Sequence, residues 1–154
     1  MLRIPLFLIL LLHFCSLKGQ VNNSMSDRFL RSDFSLIEDK RKIPKNFFKV
    51  QRKTAKSSFT IANKNEDYNF SDLIVKGIPT RQLIFAGVDS TNTFGFIFFN
   101  SGGIVISAKI LIFDIKSKKN PKFLPLNLDD HPTTLEQLKL SVKKINFAEK
   151  GNGG

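Results

Sequence analysis

Three apolar stretches follow one another closely in the middle of the chain. Arg81–Val88 reads "RQLIFAGV", residues 93–99 read "TFGFIFF", and residues 104–115 read "IVISAKILIFDI". Polar clusters rich in turn formers separate them, at Asp89–Asn92 and at Asn100–Gly103. Strands joined by loops this short pair antiparallel, because a parallel pair needs a long crossover. The pattern therefore predicts a three-stranded β-meander.

Side chains alternate between the two faces of a strand. In the middle run Phe94, Phe96 and Phe98 share one face, and Gly95, Ile97 and Phe99 share the other. Both faces are apolar, as a central strand covered on both sides requires. In the third run Ile104, Ile106, Ala108, Ile110 and Ile112 share a face, while Ser107 and Lys109 interrupt the opposite one. The "NSGG" of Asn100–Gly103 has two readings: a bend between buried strands, or a glycine loop that cradles an anion on backbone amides. A phosphate loop normally opens a helix. A β-branched run follows here, which favours the bend.

After the meander comes a basic turn, "KSKKNPK" at 116–122, and a stretch limited by Pro125 that suits an edge strand. The last element is a helix over about 134–146. Thr133 and Glu136 have capping-box spacing, and Leu135, Leu138, Val142 and Ile145 form an apolar stripe. The fold class expected is α+β: a small antiparallel meander over about 81–88, 93–99 and 104–115, packed against this helix. Segments near 57–62 and 122–126 are candidates for further strands. Residues 70–76 read equally as helix or strand. Residues 148–154 are expected to form a flexible tail.

The N-terminal portion differs in character. Arg3 precedes an unbroken apolar run, Leu6–Leu12, and a more polar stretch ending at Gly19. That order is the pattern of a secretory signal peptide. The run is well short of the roughly 20 apolar residues of a membrane span. Cleavage after Gly19 removes the one cysteine, Cys15, whose bulky neighbours His13 and Phe14 also disfavour lipidation. Disulfides, thiolate chemistry and cysteine-ligated metals then drop out together. Residues 20–56 follow as a basic lead-in, expected to be poorly ordered, with scattered apolar residues, with Pro44 interrupting any helix across 41–46, and with Phe47, Phe48 and Val50 suited to start a strand or to dock as an anchor. The globular domain is expected to span 57–147.

Composition adds two constraints. The chain has 16 Phe, one Tyr and no Trp. Phenylalanine fills space without a polar handle, so this usage favours core packing over a wet recognition surface. The formal net charge is +11, which favours contact with polyanions. Two segments concentrate it. One carries Lys40, Arg41, Lys42, Lys45, Lys49, Arg52 and Lys53; the other carries Lys116, Lys118, Lys119 and Lys122. Phe47 and Phe48, between Lys45 and Lys49, are the one place where aromatics interleave with these charges as stacking platforms for nucleic acid would.

Catalytic candidates are few. His131 is the one histidine beyond the leader, and it stands beside Asp129 and Asp130, which together offer a base and an acidic partner. The same residues suit the lead-in to a helix. No nucleophile elbow, phosphate loop, HExxH or zinc spacing occurs. Asp89 and Ser90 read as turn residues. No cofactor or metal site is indicated. Asn22-Asn23-Ser24 and Asn69-Phe70-Ser71 fit the glycosylation triplet, which matters in a eukaryotic secretory host.

These observations favour an exported protein, periplasmic, extracellular or envelope-associated, with a non-enzymatic structural or interaction role. Its expected partners are an anionic envelope surface or another protein, the latter through an exposed sheet edge in one version. Nucleic acid is disfavoured by export. A hydrolase using His131 with Asp129 or Asp130 is one alternative. A polyanion or membrane-surface binder acting through the two basic segments is the other.

Overall fold

The computed structural model describes residues 25–55, 59–71, 75–103 and 106–151. The expected signal peptide and the first glycosylation triplet lie outside these residues, as do Ile104 and Val105 of the third apolar run. A helix α1 over 25–31 leads into β1 (Ser35–Ile37), a 3-10 turn (Lys40–Lys42) and α2 (Lys45–Ala55). Strands β2 (Arg81–Val88), β3 (Phe94–Ser101), β4 (Ser107–Asp114) and β5 (Lys122–Leu128) follow, and α3 (Leu135–Gly151) ends the fold. The sheet is antiparallel throughout, with neighbours in the order β1-β2-β3-β4-β5. The α+β class and the meander read from the sequence are therefore present, with β1 and β5 added at the two edges.

β3 has the two covered faces that its sequence demands. Phe94, Phe96 and Phe98 enter one cluster with Met25 and Phe29 of α1 and with Leu138 and Val142 of α3. Ile97 and Phe99 enter the other, with Ile43, Phe47 of α2 and Ile61. The Phe29 ring meets Phe96 edge-on at 5.3 Å, and Phe47 lies 4.8 Å from Phe113 on the opposite side. Between Leu83 and Phe85 a register shift gives β2 one extra residue, Ile84. Leu83 can then join one core while Phe85 joins the other.

The stretch expected to be a poorly ordered lead-in is built into the fold between 25 and 55. Its apolar residues look scattered because they serve different layers: Phe29 is buried on one face of the sheet and Phe47 on the other. Pro44 does keep any one helix from crossing 41–46, and it stands at the start of α2. Its ring presets φ for the first turn, and its carbonyl accepts from the Phe47 amide at 2.9 Å. Phe47 and Gln51, one turn apart, form the buried edge of α2.

Smaller expectations are also revised. In place of a strand at 57–62, Ala62 makes a single parallel bridge to Gln82; residues 56–58 are outside the described set. Of 70–76, residues 72–74 are outside it as well, and 76–77 form a turn. The cap of α3 falls one residue later than Thr133 and Glu136. The Thr134 hydroxyl accepts from the Gln137 amide at 3.2 Å, and the Gln137 side chain accepts from the Thr133 amide at 2.8 Å. α3 continues through Gly151, into the stretch read as a tail.

Gly102 has a packing role. A Cβ there would overlap the backbone carbonyl of Asn69 and crowd the Phe70 Cα. Asn69 cannot yield easily. Its side chain accepts from the Val75 amide at 3.0 Å and donates to the carbonyls of Val75 and Ile78 at 3.1 and 2.7 Å. Gly102→Ala is expected to destabilise the fold by about 1–3 kcal/mol. Urea unfolding checks this, and an unchanged midpoint would show that the 69–70 backbone does not rest on Gly102.

Candidate anion-binding site

In an up-and-down meander, alternate turns fall at the same end of the sheet. The β2–β3 turn and the β4–β5 turn are therefore neighbours, and Gly102 and Gly103, which follow β3, lie at the far end. The Ile115 amide donates to the Thr93 carbonyl at 2.8 Å, tying the two near turns together. α2 runs beside them and presents Asn46, Lys49, Val50, Lys53 and Thr54, at the three- and four-residue spacing of one helix face. Between helix and turns lies a cleft of about 750 Å³. Its volume falls in the range of about 300–1,000 Å³ usual for ligand sites.

The charge of the cleft is of one sign. Lys49 and Lys53 come from α2; Lys116, Lys118, Lys119 and Lys122 come from the β4–β5 turn and the start of β5. No carboxylate of the described residues lines it. Among the described residues, none of the six lysines is ion-paired. Like charges gathered without counter-charges repel one another, and an anion between them relieves that repulsion. The two basic segments named from the sequence thus meet in one place.

Other residues of those segments lie elsewhere. Lys40 pairs with Glu66, and that contact holds the Glu66 carboxyl below its ordinary range. Arg41 grips Asp39 at 2.7 Å, so the guanidinium holds the Asp39 carboxyl well below the usual carboxylate range. Lys42 borders a shallow hollow with Glu38 and Asp39. Lys45 and Arg52 are exposed on α2 but do not line the cleft. Phe47 is fully buried and Phe48 packs edge-on against it at 5.1 Å, so neither ring lines the cleft. Sequence reading missed Asn46, Asn92 and Asn120, which also line it. The helical spacing from Asn46 to Thr54 was the available signal, hidden because Phe47, Phe48 and Val50 suit a strand as well.

His131 lies on the exposed loop before α3, at the rim of a shallow hollow of about 270 Å³. Asp130 lines the same hollow, but its carboxylate accepts from the Ser141 hydroxyl at 2.8 Å and faces Lys144 at 3.7 Å. Asp129 is exposed and does not line it. Among the described residues His131 hydrogen-bonds neither aspartate, and no group of three or more His, Cys, Asp or Glu side chains converges as metal ligands would. Asp89 closes the β2–β3 turn by accepting from the Thr91 hydroxyl at 2.8 Å and the Thr93 and Phe94 amides at 3.2 Å. Burial works to raise its pKa, but these bonds outweigh it and hold the carboxyl below its ordinary value. Asn69 of the second glycosylation triplet is buried, with its amide engaged as described above.

The fold and cleft define an α+β protein with a lysine-lined groove at one end of an antiparallel sheet. Compared with known protein families, curated proteins and solved structures, the chain matches none. No helix among the described residues is long and apolar enough to cross a membrane.

Proposed function

We propose that this is an exported, non-enzymatic interaction domain that holds an anionic partner in the lysine-lined cleft. The leader-like sequence of residues 1–19 supports export. The observation that carries the binding role is the convergence of six lysines, unpaired among the described residues, on a cleft that no described carboxylate lines. Charge spread at random over a basic surface would leave acids interspersed, as they are around Lys40 and Arg41. A hydrolytic role for His131 gains no support from its position: among the described residues it has no hydrogen-bonded aspartate, and the hollow beside it is shallow.

Binding of this kind is salt-dependent, because each neutralised anion releases a counterion. The protein is expected to bind dextran sulfate or polyphosphate at about 50 mM NaCl. A ligand that engages all six lysines should lose roughly a thousandfold in affinity by 200 mM, by analogy with DNA-binding proteins making as many phosphate contacts. Titration by fluorescence anisotropy checks this. Retention that is insensitive to salt would refute the charge-driven reading.

A further inference from the structure

We infer that the occupant of the cleft is an anionic polysaccharide, a chain of sugars bearing sulfate, phosphate or carboxylate groups. This inference rests on the anion-binding reading above and narrows its ligand. Three features of the cleft point the same way. First, no aromatic ring among the described residues lines it. Proteins that hold single-stranded nucleic acid stack bases on aromatic side chains, and the two rings in the right stretch of sequence, Phe47 and Phe48, are committed to the core. Second, the lysines face one another across a concavity, whereas a bilayer presents its headgroups on a broad surface. The exposed large apolar residues that could insert beside them, Leu36, Phe70, Val75, Ile106 and Leu140, all lie outside the cleft.

Third, neutral polar groups accompany the charges. Asn46, Asn92 and Asn120 line the cleft, and among the described residues none of their side-chain amides has a hydrogen-bond partner. A primary amide both donates and accepts. An anionic oxygen only accepts, so it is served by lysine and uses only the donor half of an amide. A sugar hydroxyl both donates and accepts, so it matches an amide on both counts. Lysines with free amides between them therefore suit a polymer that alternates anionic groups with hydroxyls. The lysine ammonium is a compact point charge, which suits anions presented at varied angles along a flexible chain better than a fixed fork does.

The test compares four probes at equal ionic strength with the full chain: a heparin octasaccharide, linear polyphosphate, oligo-dT and vesicles containing phosphatidylglycerol. The heparin fragment is expected to bind at least tenfold more tightly than each of the others. The pair Asn92→Ala and Asn120→Ala is expected to weaken heparin severalfold and polyphosphate by clearly less, leaving the salt slope unchanged, because neither residue carries charge. Unchanged far-ultraviolet circular dichroism and unfolding midpoint confirm that this variant folds. If it does not, Asn46→Ala on the exposed face of α2 makes the same comparison. Equal or tighter binding of polyphosphate, oligo-dT or vesicles overturns this inference and leaves the anion-binding function standing. Insensitivity of heparin to the asparagine substitutions does the same. If no probe binds in a lysine-dependent way, both readings fall.

Discussion

Phe47→Ala is expected to destabilise the protein by about 3–5 kcal/mol, the usual cost of emptying a buried phenylalanine site. The Phe47 side chain is fully buried. Its ring meets Phe48, Phe59, Phe113 and Phe123 at centroid separations between 4.8 and 6.2 Å, so truncation removes the hub of an aromatic cluster. Collapse of the surrounding rings into the space is limited, because Phe113 is held in the sheet by its register with Gly95 and Phe123. Chemical unfolding measures the effect. A loss below about 1 kcal/mol would mean that residues 45–55 do not pack on the sheet, which the structure says they do. The same variant should weaken anion binding where it is still folded, since α2 carries Lys49 and Lys53.

Charge reversal in the cleft should act on binding with little effect on stability. Lys49→Glu with Lys118→Glu places one acid on each wall. Affinity for a sulfated oligosaccharide is expected to fall by about a hundredfold or more at low salt, because two attractions become repulsions. Replacement by alanine is milder: each lysine removed should reduce the magnitude of the slope of log affinity against log salt by roughly 0.7–0.9. Both lysines are exposed and without ion pairs among the described residues, so the unfolding midpoint should stay level or rise as repulsion is relieved. Lys45→Glu with Arg52→Glu changes net charge equally on exposed positions outside the cleft. Measured at the same low salt, this control should lose clearly less affinity than the cleft pair, because its side chains do not line the cleft and act on the ligand only at longer range. Equal losses in the two double variants would mean that net charge, not the cleft, governs binding.

The parts of the fold legible in the sequence are those whose signal is local. The three central strands show as apolar runs between turn clusters, and α3 shows as a stripe with a cap. The error of one residue in that cap has a simple source: Thr133-Thr134 and Glu136-Gln137 offer two capping boxes in adjacent frames, and backbone geometry selects the second. Residues 25–55 were harder to read. Phe29, Ile37 and Phe47 lie on three different elements, so no single periodicity connects them. Pro44 marks a boundary in the sequence without saying which side is helical, because proline is unfavourable inside a helix and favourable at its first turn.

The candidate site was legible as ingredients. Both basic segments stand out in the sequence, and six of their lysines line the cleft. Lys40 and Arg41 look the same in the sequence but are neutralised by Glu66 and Asp39. Glu66 is far along the chain from Lys40, so that neutralisation is invisible until the chain folds.

By itself, the sequence determined the meander, its turns, the C-terminal helix and the need to cover both faces of Phe94–Phe99. Each follows from alternation, turn chemistry or helical spacing within a short window. Only the tertiary structure decided what covers the second face and where the lysines meet. The covering comes from α2, which docks through Phe47 on a surface that exists once four distant strands have paired. The cleft follows from parity. Alternate turns of a meander lie at one end, so residues 92–93 and 116–122 become neighbours, and the docked helix brings Lys49 and Lys53 against them. Such convergence depends on register and docking across the whole sheet, which no local pattern encodes.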